Sequence, residues 1–176
     1  MIDPAIRRAV LALGSNQGDR VAQLQRAVDV IAAWPGLRVH GVSSVYETDP
    51  VGGPQQPDYL NAVLVVETTE SPETLLRRAH EVEHEQGRVR RERWGPRTLD
   101  VDIVVVGDLV VDSPGLTLPH PRAHERAFVL LPWVEVEPGA AIPAVGAVRE
   151  ILDDMQPSGN VSGVRRRDDL ALRMPA

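Results

Sequence analysis

The order in which two hydrophobic periodicities follow one another constrains the fold of this chain more than any other feature. Apolar residues recur at every second position in segments typical of strands, and at every third or fourth position in segments typical of helices. Strands are predicted at residues 8–13, 37–47, 58–68 and 98–106. Helical periodicity predicts one helix from Asp19 to Ala33 and a second that begins at Ser71-Pro72.

This order, strand-helix-strand-strand-helix-strand, is typical of a split βαβ layer. We therefore expect an α+β fold with a ferredoxin-like βαββαβ core. Downstream of the core, the turn residues Ser113-Pro114-Gly115 separate two short apolar runs and predict an extra hairpin. Two C-terminal helices are expected: a short one that begins near Pro121 and another that spans Val148 to Met155. We expect residues 1–155 to form a single domain and the polar residues 156–176 to be a loosely ordered tail.

Two residue types are missing from the chain, and their absence removes several kinds of chemistry. All 19 basic residues are arginine, and there is no cysteine. Disulfides, thiolate nucleophiles, Schiff-base lysines and the P-loop lysine are therefore excluded. A phosphate group would have to be held by arginine, by backbone N–H groups or through a metal ion.

The composition also bears on location and partners. No apolar run approaches the roughly 20 residues that span a bilayer, and the N-terminal residues do not form a secretion signal. We therefore expect a cytoplasmic protein that does not bind membranes. The formal net charge is −6, which disfavours a general nucleic-acid-binding protein. Five arginines nevertheless fall between Arg88 and Arg97, and such a local cationic patch suits a small anionic ligand.

An acidic pair lies in the last strand of the predicted core, in the sequence Leu99-Asp100-Val101-Asp102-Ile103. Because side chains alternate along a strand, the apolar residues at every second position from Leu99 to Val105 are predicted to share one face, and Asp100 and Asp102 the other. Their Cα atoms would lie about 6.5–7 Å apart. Carboxylates this close repel unless a cation lies between them, and Mg²⁺ is the natural cation for oxygen ligands. On the strand alone, two solvated acids on an exposed face remain the alternative.

The segment that precedes the acidic pair strengthens the functional interpretation. It places five guanidinium groups and Trp94 directly before the two aspartates. Cations that can reach phosphates, beside carboxylates that can hold a metal, are the parts of a phosphoryl-transfer site. A solvated charged loop would not explain the tryptophan, whereas a loop that closes over a bound ligand would.

The third predicted strand offers a second kind of site. Alternation places Tyr59 and Asn61 on the face opposite the core-facing Leu60 and Ala62. An aromatic ring beside a carboxamide can stack on a planar heterocycle and hydrogen-bond its edge. Phe128 is the only phenylalanine; by itself it is interpreted as a core residue.

A zinc-protease pattern, H-E-x-x-H, occurs at His80-Glu81-Val82-Glu83-His84. At about 100° per residue, however, His80 and His84 point away from the apolar stripe of the second helix. We therefore expect a solvated helix face there rather than a catalytic zinc site. His120 has no partner for a nucleophilic triad and by itself is interpreted as structural.

Five segments of the chain, taken together, carry a resemblance to a known family. They are Gly14-Ser15-Asn16, Pro57-Asp58-Tyr59-Leu60-Asn61, Gly87-Arg88, the stretch from Arg93 to Asp102, and Leu118-Pro119-His120-Pro121. In this order, from about residue 9 to 155, they resemble 6-hydroxymethyl-7,8-dihydropterin pyrophosphokinase. The arginine segment is one residue shorter than in relatives, and Pro121 stands where an aromatic residue can occur.

The resemblance implies a step of folate synthesis in which the hydroxymethyl oxygen of a reduced pterin attacks the β-phosphorus of ATP. The products would be AMP and the pterin diphosphate. It implies that Asp100 and Asp102 hold two Mg²⁺ ions, and that Arg88 and Arg97 also take part in catalysis by steadying the phosphates. The nucleotide contacts that it implies are Glu83, Arg88, Arg90, Trp94, Arg97, Ile103, His120 and Arg126.

The same resemblance implies a pterin site in which Tyr59 and Phe128 enclose the ring and Asn61 hydrogen-bonds its edge. It thereby changes the interpretation of Phe128 from core to site. The further pterin contacts that it implies are Thr48, Val51, Trp94 and Asp100. We expect a monomer whose partners are ATP and the pterin, without nucleic acid.

Two other classes of function remain to be separated from this one. A nucleotidyl- or monophosphoryltransferase would use the same acids and arginines, and its products would differ. A ferredoxin-like nucleic-acid-binding module would need exposed aromatic residues and a basic surface. This chain is acidic and has only three tryptophans, two tyrosines and one phenylalanine.

Overall fold

A computed structural model describes residues 5–49, 55–86, 99–155 and 163–175. The first five strands are β1 (Arg7–Ser15), β2 (Leu37–Val42), β3 (Tyr46–Thr48), β4 (Tyr59–Thr68) and β5 (Asp100–Val106). The shorter ones that follow are β6 (Val111–Ser113), β7 (Leu116–Leu118), β8 (Ala141–Ile142), β9 (Gly146–Ala147) and β10 (Val164–Arg166). The helices are α1 (Arg20–Ala32), α2 (Pro72–Glu85), α3 (Ala127–Val136) and α4 (Val148–Met155), with a 3₁₀ turn at Ala123–Glu125.

The central sheet is antiparallel and has six strands. Its order is β10-β3-β4-β1-β5, and β2 pairs with β4 alongside β3. Because β1 is central, its residue Gly14 lies opposite Asn61 of β4 on one side and Asp100 of β5 on the other. The α+β class is confirmed as a mixed fold with an antiparallel sheet and, in the described part of the chain, four α-helices. The predicted hairpin, β6–β7, and the predicted helix α4 are also present.

Helices cover both faces of this sheet. One face packs on α1 and α2 through a core that includes Leu11, Leu24 and Leu75. The other face packs on α3 and α4 through a core that includes Val10 and Trp133. Within the described ranges, no helix is long and apolar enough to cross a bilayer.

Side chains cap the N-termini of α1 and α2, which begin within one residue of their predicted starts. The Asp19 side chain accepts the N–H of Ala22, and the Ser71 side chain accepts the N–H of Thr74, so each caps a backbone donor that the helix leaves unpaired. Pro72 follows the second cap at the first helical position, where its missing N–H costs nothing.

The prediction missed α3. A short helix was expected near Pro121, where the structure has the 3₁₀ turn, and the ten-residue α3 follows it. Pro132 lies inside α3, and apolar residues surround much of the helix, so no clear periodic stripe marks it in the sequence. Burial against β4 and α4, including full burial of Trp133, stabilises this helix instead.

The single strand predicted at 37–47 is wrong, because the chain leaves the sheet between β2 and β3. There the Ser43 backbone N–H bonds to the Val63 carbonyl, and the Ser43 hydroxyl accepts the Val63 N–H at 2.9 Å. This side-chain bond replaces a regular ladder bond, so one bent segment becomes two strands on the same edge of β4.

The predicted alternation of β5 holds only to Ile103. Val10 lies opposite Val105 whereas the next residue, Leu11, lies opposite Ile103, so Val104 is an extra residue in β5. Such a β-bulge reverses the facing of the residues beyond it. Val105 therefore packs in the α3/α4 core, away from Val101 and Ile103, contrary to the prediction of one shared face.

The C-terminal residues 163–175 are docked, which differs from the expectation of a loosely ordered tail. Strand β10 pairs with β3 at the edge of the sheet, from Val164 opposite Thr48 to Arg166 opposite Tyr46. Leu170 and Leu172 pack against the α1/α2 core. This docking was not predicted because the segment has low hydrophobicity. It depends on strand pairing more than on burial of the segment's own side chains.

Candidate functional site

A cavity of about 460 Å³ opens at the end of the sheet where β1, β4 and β5 meet. Eight residues that the sequence analysis assigned to the site line this one cavity: Thr48, Tyr59, Asn61, Asp100, Asp102, His120, Arg126 and Phe128. They come from three strands, from the connection after β7 and from the start of α3. The fold therefore gathers side chains that are up to 80 residues apart in sequence (Thr48 to Phe128) into one space.

Gly14 lies between the two groups of strand residues. A Cβ atom at this position would lie 3.3 Å from Asn61 Oδ1 and 3.8 Å from Tyr59 Cδ1. A glycine here therefore lets the Asn61 side chain approach the backbone of β1. Gly14 belongs to one of the five segments that carry the family resemblance, but its position in the cavity wall was not predicted.

The Asn61 carboxamide is buried and held in one orientation. Its side chain is 4% exposed, and Nδ2 donates to Thr48 Oγ1 at 2.9 Å. Since the nitrogen is the donor in this bond, the oxygen is directed towards Gly14 and the cavity. Tyr59 lines the same wall two residues earlier on β4. The pair presents an aromatic ring beside a fixed amide, as alternation predicted.

Phe128 and Arg126 enter the cavity from the beginning of α3. Phe128 is partly buried against the α3/α4 core and also lines the cavity, so its ring contacts the core and can be reached from the cavity. The Arg126 guanidinium lies 5.7 Å from the centre of the Phe128 ring, and its Nη1 lies 3.6 Å from Asp102 Oδ2. Arg126 therefore places a positive charge between the aromatic part of the cavity and the acidic pair.

Burial and neighbouring charges shift the pKa values of two basic side chains here. Burial lowers the pKa of Arg126, while Asp102 opposes that change. Burial also lowers the pKa of His120 from its ordinary 6.5; Asp102 acts to raise it, and Arg126 and Arg122 add to the lowering. Burial therefore favours the neutral form of the His120 imidazole. Its Nδ1 accepts the N–H of Arg122 at 3.2 Å, which places the imidazole proton on Nε2.

A second cavity, of about 310 Å³, adjoins the first. Three of the residues assigned to the nucleotide line it, namely Glu83, Ile103 and His120. Asp102 and His120 line both cavities. The sequence analysis did not predict that Leu76, His80 and Thr117 would line this space, and only the packing of α2 against β5 and the β6–β7 hairpin reveals them.

The H-E-x-x-H motif lies on α2, where its two histidines and its second glutamate differ in exposure. His80 and His84 are both exposed on α2, as the helical periodicity predicts. Among the described residues no group of three or more His, Cys, Asp or Glu side chains comes close enough to hold a metal ion. Glu83, the motif's second glutamate, instead turns inwards and is 4% exposed.

The acidic pair fits an oxygen-ligated cation. Asp100 and Asp102 both line the first cavity, and both are partly exposed, so their oxygens can be reached from it. Two carboxylates, without further protein ligands, are a donor set that Mg²⁺ uses when phosphate oxygens and water complete its shell. The donor chemistry therefore suits a metal bound together with a phosphate-bearing substrate.

Five of the predicted site residues lie outside the described residues: Val51, Arg88, Arg90, Trp94 and Arg97. Their assignments remain predictions. Four polar residues that were not predicted as site residues, Asp49, Gln56, Arg122 and Glu125, also line the first cavity. No local pattern marks them, since each reaches the cavity only through the folding of the connections at the sheet end.

Comparison with known proteins places the chain in a class and then in a family. Three bacterial relatives bear the name 2-amino-4-hydroxy-6-hydroxymethyldihydropteridine pyrophosphokinase. The Mycobacterium tuberculosis protein is 42% identical over 164 residues, covering 86% of this chain and 85% of its own. The Methylorubrum extorquens protein is 43% identical over 152 residues (86% and 96%), and the Pseudomonas aeruginosa protein 41% over 147 residues (84% and 91%). The relatives are thus pyrophosphokinases by name.

Residues 10–138 match the model of the 7,8-dihydro-6-hydroxymethylpterin-pyrophosphokinase (HPPK) family, and the chain belongs to that family. Solved structures show the same fold at much lower identity. Wild-type Plasmodium falciparum HPPK-DHPS with pteroate superposes with a TM-score of 0.72 at 16% identity, over 92% of this chain and 46% of that chain. An HPPK-DHPS in complex with substrates gives 0.72 at 13%, over 91% and 46%. This chain thus spans about half the length of those structures.

Proposed function

We propose that this protein transfers diphosphate from ATP to the hydroxymethyl group of 6-hydroxymethyl-7,8-dihydropterin and releases AMP, in the pathway to tetrahydrofolate. One observation carries the proposal beyond family membership. Two adjoining cavities share Asp102 and His120; the described residues assigned to the pterin line one cavity, and three residues assigned to the nucleotide line the other. Two substrates that react with each other need two such connected spaces.

The first cavity suits the pterin. Tyr59 and Phe128 offer aromatic faces for its flat ring, and the fixed Asn61 amide offers a hydrogen bond to its edge. A hydroxymethyl group on a ring held there would extend towards the acidic pair. Water is excluded from much of the ring by the aromatic walls, which favours a planar ligand over a flexible one.

The second cavity suits the nucleotide, with its phosphates directed to the shared residues. Arg126 and the Nε2–H of His120 would then meet phosphate oxygens, and Arg88 and Arg97 are assigned to the same task by resemblance. Positive groups fixed before the reaction stabilise charge that develops on transferred phosphoryl oxygens. The new bond joins the pterin oxygen to the β-phosphorus. The bond from that phosphorus to the oxygen that it shares with the α-phosphate breaks, so AMP leaves with this oxygen. The hydroxyl proton of the pterin is released.

Asp100 and Asp102 would hold Mg²⁺, and we infer two ions. Bound with ATP, the metal would supply charge neutralisation on the phosphates and polarise the reacting oxygens. The residues of the chain orient this arrangement: Asp102 lines both cavities, and Asp100 lies beside Gly14 at the pterin side.

We also infer that the fold is ferredoxin-like, that residues 1–155 belong to one domain whose sheet also includes β10, and that the protein acts as a cytoplasmic monomer. The strand order β3-β4-β1-β5, with α1 and α2 packed on one face, supports the first inference. Size-exclusion chromatography coupled to light scattering tests the oligomeric state.

The reaction is tested by phosphorus NMR of the full chain with ATP, Mg²⁺ and the reduced pterin alcohol. The expected products are AMP and a diphosphate ester of the pterin. ADP would indicate monophosphoryl transfer, and free pyrophosphate would indicate nucleotidyl transfer; either outcome contradicts the proposal.

A further inference from the structure

A single side chain of strand β10 contacts the end of β3 and the start of β4. Residues at both of these strand ends line the first cavity. Asp49 follows the last residue of β3 and lines the cavity, and Asp58 precedes Tyr59, the first residue of β4. Arg165 of β10 donates from Nη1 to Asp49 Oδ1 at 3.3 Å and from Nη2 to Asp58 Oδ2 at 3.0 Å. One guanidinium therefore bridges the two ends of the chain segment between β3 and β4.

Glu47, in the middle of β3, extends this bridge into a network. Its two carboxylate oxygens accept hydrogen bonds from Arg165 at 3.2 Å, Arg167 at 2.8 Å and Arg20 at 3.3 Å. Burial acts to raise the pKa of Glu47, but these arginines outweigh it and hold that pKa below its ordinary value. Arg20 also donates to the Asp58 carbonyl at 2.9 Å, so the start of β4 is held from two directions.

The segment that carries Arg165 is itself fixed in place. Strand β10 pairs with β3 through backbone bonds, with Arg165 opposite Glu47. Further along, the backbone N–H of Arg173 donates to Gln25 Oε1 at 2.7 Å, and the Gln25 amide donates to the Arg173 carbonyl at 3.3 Å. Arg165 therefore presents its guanidinium from a supported strand, not from a free terminus.

We propose that Arg165 is a positioning residue for pterin binding. It sets the separation of the strand ends that carry Thr48 and Tyr59, and through them the shape of the first cavity. Arg165 does not line the cavity and acts only through the carboxylates that it binds. The inference rests on the proposed placement of the pterin in the first cavity. The Arg165 side chain is 45% exposed, so solvent screens its ion pairs, and their loss is expected to change substrate binding more than the stability of the fold.

The test is steady-state kinetics with each substrate varied in turn, for Arg165→Ala, Arg165→Lys and a control. Arg165→Ala is expected to raise KM for the pterin about fivefold, to leave KM for ATP within about twofold, and to keep Tm close to that of the unmodified chain. Arg165→Lys should recover part of the loss, because lysine keeps the charge but cannot bind several carboxylates with a planar fork. The control is Arg38→Ala, which removes an exposed ion pair with Glu67 at the far end of the sheet and should change neither KM.

A double-mutant cycle with Asp58→Asn examines the mechanism, since two residues that act through one contact give less than additive effects. Asn61→Ala in the same series separates this inference from the placement of the pterin. If Asn61→Ala leaves the pterin KM unchanged, the placement itself is wrong. If Asn61→Ala raises it while Arg165→Ala does not, or if Arg165→Ala raises both KM values equally, the positioning role of Arg165 is overturned.

Discussion

The carboxylate of Glu83 on α2 accepts the backbone N–H of Val101 on β5, with Oε2 3.2 Å from the nitrogen. Val101 lies between Asp100 and Asp102, so this bond ties the helix to the part of the strand that carries both candidate metal ligands. A buried carboxylate costs free energy unless it is hydrogen-bonded, and here the bond also fixes the backbone of the acidic pair. Glu83 therefore contacts the backbone of β5 and also lines the second cavity.

Replacing Glu83 by alanine should lower both the stability of the fold and the sensitivity of the activity to Mg²⁺. We expect the free energy of unfolding to fall by about 1–3 kcal/mol, because a buried donor loses its acceptor. The Mg²⁺ concentration that gives half-maximal activity should rise, since the aspartates lose support. Urea denaturation and a magnesium titration of activity measure the two effects. Glu81→Ala, at an exposed position of the same helix, is the control; equal changes in both variants would contradict this role.

The acidic pair should be needed for turnover but not for folding. Asp100→Ala or Asp102→Ala is expected to lower kcat by at least about a hundredfold with Mg²⁺ supplied, because charge on the phosphates is no longer neutralised. The melting temperature should stay close to that of the parent chain, since both side chains are partly exposed. Asp112→Ala, in the β6–β7 hairpin, is the matched exposed control. Full activity in either site variant would show that the metal assignment is wrong.

A methyl group at Gly14 should disturb the pterin side of the site selectively. Its Cβ would lie 3.3 Å from Asn61 Oδ1, a tight contact that the amide can relieve only by moving. We expect Gly14→Ala to raise KM for the pterin by up to about tenfold and to leave KM for ATP nearly unchanged, because small displacements of a binding group are costly. Gly139→Ala, where an added Cβ meets no atom within 4 Å, should have no such effect.

The C-terminal segment carries a carboxylate whose titration reports a bidentate pair with a nearby arginine. Arg167 donates from Nε and Nη2 to Asp169 at 2.8 and 2.7 Å, and these bonds lower the pKa of Asp169 from 3.8 to about 2. Because the folded pKa is the lower one, the stabilisation from this pair is complete above the unfolded pKa near 3.8. It is lost as the pH falls from there through about 2.

Carbon-13 NMR of the aspartate carboxyl groups across this pH range checks the shift. In Arg167→Ala the pKa of Asp169 should return towards 3.8. Arg166→Ala, which removes the neighbouring pair with Asp168, should leave Asp169 as it is. A titration of Asp169 near its ordinary value in the unmodified chain would show that the bidentate pair does not persist in solution.

Features that depend on nearby residues were predictable. The starts of α1 and α2 depend on residues within three positions of each other, so short sequence patterns predict them. The facing of Asp100 and Asp102 follows from alternation along one strand. Tyr59 and Asn61 follow from the same rule, and the family resemblance added their partner Phe128 across the cavity.

The tertiary structure alone decided the features that join distant parts of the chain. The bulge at Val104, the pairing of β10 with β3 and the bond from Glu83 to Val101 each depend on which elements become neighbours. Likewise, α3 is stabilised by the faces that it meets and not by its own periodicity. The sequence by itself thus determined the order of the core strands and helices and the facing of the acidic pair. Packing decided that Asp102 lines both cavities and which other side chains support the cavity walls. The reason is that contacts between distant segments form only when the whole chain has folded.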